Sequence, residues 1–247
     1  ISIVKQPILA QTMKKETVVR VAPGQAMLTP LVKGVRLMVD GWQGNHMRCL
    51  YGINKHVWIE RNEIAFENGA PYFSGPPPTS VIKTVNLNRS IYGDAIVIPM
   101  QQALPYEVLQ SLNPNKLVLR IYGATADTDW VSQKYREAFE GEGSNKAGIQ
   151  NALKNGIVES VDWKQPSDDI YELNIQLLGE RQWGYALEYT QNNLLPHIKD
   201  PPRVKDPTKS LAGLKICVDP GHGAPLPGAM GCSGVSEANL NLAISLK

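Results

Sequence analysis

The chain has 247 residues, 43% hydrophobic and 19% charged, with a net charge of +2. That length holds one large domain or two to three small ones, and the composition is ordinary for a globular protein. No apolar run approaches the ~18–20 residues of a membrane-spanning helix, which argues against a membrane-embedded chain. The Lys and Arg are scattered, so no basic face argues for nucleic acid.

Cys49, Cys217 and Cys232 are too few for a disulfide scaffold and leave the redox compartment open. The chain opens without Met, and Ile8-Leu9-Ala10-Gln11 reads either as what remains of a trimmed export signal or as part of a disordered arm. Residues 1–16 are therefore expected to be an N-terminal arm. From 17 to 66, short β-prone runs alternate with glycine turns, as in Val18-Val19-Arg20-Val21, Val35-Arg36-Leu37-Met38-Val39 and Val57-Trp58-Ile59. This spacing predicts a small barrel. Trp42, Tyr51 and Trp58 either line a groove for a peptidoglycan stem peptide or fill the core of that barrel. The order Val19-Arg20-Val21-Ala22-Pro23-Gly24, Lys33-Gly34, Asp40-Gly41-Trp42 and His56-Val57-Trp58-Ile59 resembles a bacterial SH3-like domain, a family that accompanies wall hydrolases.

Residues 67–78, with Pro76-Pro77-Pro78, are expected to form a semi-rigid linker. Between 79 and 197 two stretches share a pattern: Ile96, Ile98, Tyr106 and Val108 recur as Ile175, Leu177, Tyr185 and Leu187 at a constant offset of 79 positions. That is an internal duplication, and its period-two alternation predicts a β-sandwich of two similar halves. The run Pro105-Tyr106-Glu107-Val108, Leu117-Val118-Leu119 and Tyr122-Gly123-Ala124 is similar to the AMIN domain, which implies localisation of an envelope protein to peptidoglycan. Residues 131–156, with helix-compatible spacing broken by Gly141 and Gly143, are expected to be a mobile insertion, and 198–213 a second linker.

The segment 214–247 carries the chemistry. Leu214-Lys215-Ile216-Cys217-Val218-Asp219 predicts a strand that stops at Pro220-Gly221-His222-Gly223, so His222 sits at a strand's C-terminal edge. Ser236 is a candidate N-cap for a helix with Leu240, Ala243 and Ile244 on one face and Glu237 in its first turn. An imidazole and a carboxylate facing one spot are suitable zinc ligands; the same residues also suit a plain turn and a helix-dipole partner. Val218-Asp219-Pro220-Gly221-His222-Gly223, followed by Pro227-Gly228-Ala229, Gly231, Gly234, Glu237 and Asn241-Leu242-Ala243, closely resembles the start of the zinc-dependent N-acetylmuramoyl-L-alanine amidases. The resemblance implies Zn2+ as cofactor, His222 and Glu237 as the first two ligands, and a further His ligand and general-base Glu beyond Lys247. No catalytic residue is therefore expected within the chain. Asp219 either orients His222 or caps the turn, and Cys217 and Cys232 are read as small buried hydrophobes.

The fold class expected is thus mainly β: a small SH3-like barrel, an AMIN-like β-sandwich, then the first βα unit of an α/β zinc amidase domain. The function expected is hydrolysis of the amide between the lactyl group of muramic acid and L-alanine, in a periplasmic or secreted protein of the envelope with peptidoglycan as partner. The alternative is a non-catalytic peptidoglycan-binding protein with an inert amidase remnant. A cysteine peptidase is disfavoured, because no Cys precedes a helix in a suitable context.

Overall fold

The computed structural model describes residues 1–67, 76–127, 156–206, 208–209 and 211–247. Most of the linker expected at 67–78 and nearly all of the insertion expected at 131–156 lie outside the described residues. The chain forms two compact units, Ile1–Pro201 and Pro202–Lys247.

The first unit opens with β1 (Ser2–Thr12), β2 (Arg36–Gln43), β3 (His46–Tyr51), β4 (Lys55–Glu60) and β5 (Ile64–Phe66), which form one antiparallel sheet in the order β4-β3-β2-β1-β5. The residues expected as an N-terminal arm are instead largely β1, paired to β2 through Ile8↔Val39 and Ala10↔Leu37 and to β5 through Ala10↔Phe66. The apolar run Ile8-Leu9-Ala10 is buried there, and burial offsets the entropy cost of ordering a chain end. Val18 to Val21 form no full strand; Arg20 bridges the outer edge of β4 by exchanging two backbone hydrogen bonds with Trp58, both 2.9 Å.

Then come β6 (Ser80–Ile82), β7 (Asn86–Ser90), β8 (Gly93–Val97), β9 (Tyr106–Leu112), β10 (Asn115–Tyr122), β11 (Ala124–Ala126), β12 (Val158–Ser167), β13 (Ile170–Leu177), β14 (Tyr185–Thr190) and β15 (Asn193–Lys199). β6 and β11 pair in parallel, and two four-stranded antiparallel sheets run β12-β13-β10-β9 and β14-β15-β8-β7. Each half of the duplicated region gives one hairpin to each sheet. The 79-position offset carries β8 onto β13, where Ile96 and Ile175 are both buried, and β9 onto β14.

These sheets and the first one share a single buried core cluster. Lys55 Nζ donates to Glu107 Oε2 at 2.8 Å and to the Tyr122 hydroxyl at 2.9 Å, while that hydroxyl donates to Glu107 at 2.8 Å. Burial alone would raise the Glu107 pKa, but the bonds from Lys55 and Tyr122 outweigh it and hold the carboxyl below its usual range. The Ile53 N–H donates to the Asp169 carboxylate at 2.6 Å, and a Cβ at Gly52 would collide with that carboxylate, so the turn of positive φ between β3 and β4 needs glycine.

The second unit corrects the expected fold class. Among the described residues 51% are in strands and 6% in helix, and no α/β unit is present. Residues 214–219 form no strand: Ile216 is 65% exposed and Val218 60%, and no neighbouring strand accepts their backbone groups. A β-prone run without a ladder partner or an apolar layer gains nothing from extending. α1 (Glu237–Ser245) does form, but it buries none of its residues, so Leu240 and Ile244 pack against no core. No helix among the described residues is long and apolar enough to cross a membrane.

Candidate metal centre

In the unit Pro202–Lys247, α1 organises the loop before it. Ser236 has extended backbone and its hydroxyl accepts the Asn239 N–H at 3.3 Å, an N-cap that satisfies one of the open donors of the first turn. The next two N–H groups reach outward: Glu237 donates to Ala229 O at 2.8 Å and Ala238 to Pro227 O at 3.0 Å. They draw residues 227–229 along the start of the helix. One turn later, Asn241 Nδ2 donates to Gly221 O at 2.8 Å, which ties the His222 turn to the same helix.

Both expected ligands meet at this point. His222 Nε2 lies 3.3 Å from Glu237 Oε2, and the two side chains are 41% and 43% exposed. Glu237 Oε2 also accepts the Ala229 N–H at 3.0 Å, which fixes the carboxylate. Between them, Gly228 has φ +75°, and a Cβ there would come within 2.7 Å of Glu237 Oε2 and 2.9 Å of His222 Cδ2. Only glycine allows this approach. His222 itself has φ +68°, uncommon for a side-chain-bearing residue and held here by the surrounding turns.

The pair fits zinc. Two donors at about 2.0–2.1 Å from a tetrahedral ion stand about 3.3 Å apart, the separation found. Two other histidine–carboxylate pairs among the described residues, His56–Asp40 and His197–Glu188, are hydrogen-bonded at 3.0 Å, whereas His222 and Glu237 approach to 3.3 Å without a hydrogen bond. The set is incomplete, because no group of three His, Cys, Asp or Glu side chains able to hold a metal occurs among the described residues. Two protein donors do not make a structural or a catalytic zinc site by themselves.

The remaining expected site residues fall elsewhere. Asp219 is exposed and makes no hydrogen bond to His222 among the described residues, so it does not orient that ring. Cys217 and Cys232 are exposed rather than buried. Of the three aromatic residues offered for a stem-peptide groove, Tyr51 is 2% and Trp58 6% exposed, and the Tyr51 ring packs on Tyr122 at 5.2 Å. They fill the core, and Trp42 is 41% exposed. Sequence reasoning gave no role to Ala229 and Asn241; the i, i+4 spacing of Glu237 and Asn241 was the signal that both face one side of α1. No known family's sequence pattern matches the chain, and no curated protein matches it.

Proposed function

We propose that this chain carries part of the metal centre of a zinc-dependent N-acetylmuramoyl-L-alanine amidase, a periplasmic or secreted envelope protein acting on peptidoglycan. The observation that carries the reading is the 3.3 Å approach of His222 Nε2 to Glu237 Oε2, a ligand-to-ligand separation held open by Gly228. Zinc bound there would polarise the amide carbonyl between the lactyl group and L-alanine and lower the pKa of its water toward ~7. His222 would hold the ion through Nε2 and Glu237 through a carboxylate oxygen. The Ala229 N–H and the Asn241 amide keep those two groups from swinging apart. The resemblance to the amidases implies a third ligand and a proton-relaying Glu in the complete site.

Zinc titration of the 247-residue chain against a chelating indicator tests this. His222→Ala and Glu237→Ala should each weaken binding by about tenfold or more, while Cys217→Ser and Cys232→Ser leave it unchanged. With two donors the chain should release no dye from labelled peptidoglycan even with zinc added. Unchanged zinc affinity in His222→Ala overturns the metal assignment. A second reading is a peptidoglycan-binding protein without catalysis. It predicts co-sedimentation with peptidoglycan that His222→Ala does not alter.

A further inference from the structure

The loop 178–184 leaves β13 and enters β14, and so carries the chain from one four-stranded sheet to the other. Two side-chain amides hold it. Asn115, 6% exposed, donates through Nδ2 to Gly179 O at 2.8 Å, and Gln182 Nε2 donates to Ser111 O at 2.8 Å and to Asn115 Oδ1 at 3.0 Å. The neighbouring backbone is fixed by a carboxylate. Asp94 in β8 is fully buried, and its Oδ2 accepts the N–H groups of Ile157 and Val158, both at 2.8 Å, while Arg89 donates to its Oδ1 at 2.7 Å. Ile157 O in turn accepts the Leu178 N–H at 2.7 Å. Arg89 also bonds both oxygens of Asp200, the residue before Pro201.

These anchored stretches enclose an open cleft of about 330 Å³, lined by the apolar Ile157, Leu178, Trp183 and Pro201 and by one charge of each sign, Glu180 and Arg181. The volume lies at the lower end of the ~300–1,000 Å³ of small-ligand sites, room for a ring rather than for an extended chain. Trp183 is 41% and Leu178 47% exposed. A firmly held loop that leaves its aromatic side chain open to water presents a preformed recognition surface, because the cost of ordering it is met in folding and not on binding.

The lining also selects the chemistry of the ligand. Glu180 and Arg181 are exposed and have no hydrogen-bond or ion-pair partner among the described residues. Their charges cancel, so the cleft has no net attraction for an anion or a cation. What it offers is an indole, one strong acceptor and one forked donor. A pyranose ring matches that set: its C–H groups form an apolar face suited to an aromatic ring, and its hydroxyls both donate and accept. We propose that this cleft binds one N-acetylhexosamine ring of a glycan strand, with the C–H face on Trp183 and the hydroxyls bonded to Glu180 and Arg181. The acetamido methyl lies against Leu178 and Ile157. The inference rests on the peptidoglycan reading for the identity of the polymer and deepens it, since it makes the glycan rather than the stem peptide the part that Ile1–Pro201 holds.

The test uses the 15N-labelled 247-residue chain and the β-1,4-linked trimer of N-acetylglucosamine. The Trp183 indole N–H signal, assigned by its loss in Trp183→Phe, should shift on titration together with the backbone amides of Leu178 and Arg181, while those of Ile121 and Leu173 stay in place. Trp183→Ala should weaken binding about tenfold or more and Trp183→Phe less, and added salt should leave the affinity unchanged. An unmoved Trp183 signal, equal binding by Trp183→Ala, or a free stem tripeptide, L-Ala-D-Glu-L-Lys, shifting Trp183 in the trimer's place would each overturn the proposal. Co-sedimentation with peptidoglycan separates the site from the reading it rests on. Sedimentation unaltered by Trp183→Ala overturns the site and leaves that reading, whereas trimer binding without sedimentation keeps the site and removes peptidoglycan as the polymer.

Discussion

The two units reach order by different means. In Ile1–Pro201 the strands hide their apolar faces: Leu119, Ile121, Leu173 and Ile175 are at most 1% exposed. In Pro202–Lys247 Ser236 is the one buried residue among those described, and the His222–Glu237 approach rests on backbone bonds, side-chain amides and glycine turns. Burial holds the first unit through many shared contacts, whereas the second depends on a short series of local hydrogen bonds. The candidate metal centre therefore sits on local bonds rather than on a core.

The largest expected effect sets the two side by side. Ile121→Ala removes a fully buried side chain near the end of β10 and should cost about 2–5 kcal/mol in urea unfolding. Ile216→Ala, at a residue 65% exposed, should stay within about 0.5 kcal/mol. Similar losses for both would break the contrast and mean that 214–219 is buried after all.

A smaller effect follows from pH. In Glu107 and in Glu172 burial works to raise the pKa, but the bonds from Lys55 and Tyr122 to the first and from Arg120 and Lys164 to the second outweigh it, so both carboxyls titrate below the ordinary value of 4.5. A depressed folded-state pKa contributes stability above the unfolded value and loses it as pH falls through the folded one. The unit Ile1–Pro201 should therefore lose stability from about pH 5 downward, and Glu107→Gln should flatten that acid limb in thermal melts followed by tyrosine absorbance. A Glu107→Gln profile parallel to that of the unaltered chain would remove this carboxylate from the account.

The same contrast explains what the sequence showed. β2 and β4 were legible as short β-prone runs between glycine turns, and the offset of 79 through a repeated apolar pattern whose Ile96 and Ile175 are both buried. β1 was not, because only its second half is buried and its partners, Arg36–Gln43 and Ile64–Phe66, are remote in sequence. Nor was the Lys55–Glu107–Tyr122 cluster, since charges far apart in the chain leave no local pattern. The misreading at 214–219 has the opposite cause: Ile216 and Val218 have strand propensity, but propensity without a ladder partner does not make a strand. Tyr51 and Trp58 left both groove and core open, since an aromatic side chain in a small sheet suits either. His222 and Glu237 were legible through a motif, whereas the part Gly228 plays in their approach depends on φ +75° and a Cβ clash that composition does not display.

The smallest expected effect tests whether α1 stands on its local bonds. A nine-residue helix with no buried residue is marginal on propensity alone, because isolated helices below ~12–15 residues seldom persist in water. Its start is secured by the Ser236 hydroxyl on Asn239 N and by the donations of Glu237 and Ala238 to the preceding loop. Ser236→Ala deletes the first of these and should cost the helix about 0.5–2 kcal/mol, with no change in the urea midpoint of the larger unit. Hydrogen exchange at Leu240 and Asn241 should accelerate while exchange at Leu119 and Leu173 does not. Since the Asn241 amide then holds Gly221 less of the time, zinc affinity should fall together with helix protection. Faster exchange in α1 with undiminished zinc affinity would show that the His222–Glu237 approach is kept by Gly228 and the turn rather than by the helix.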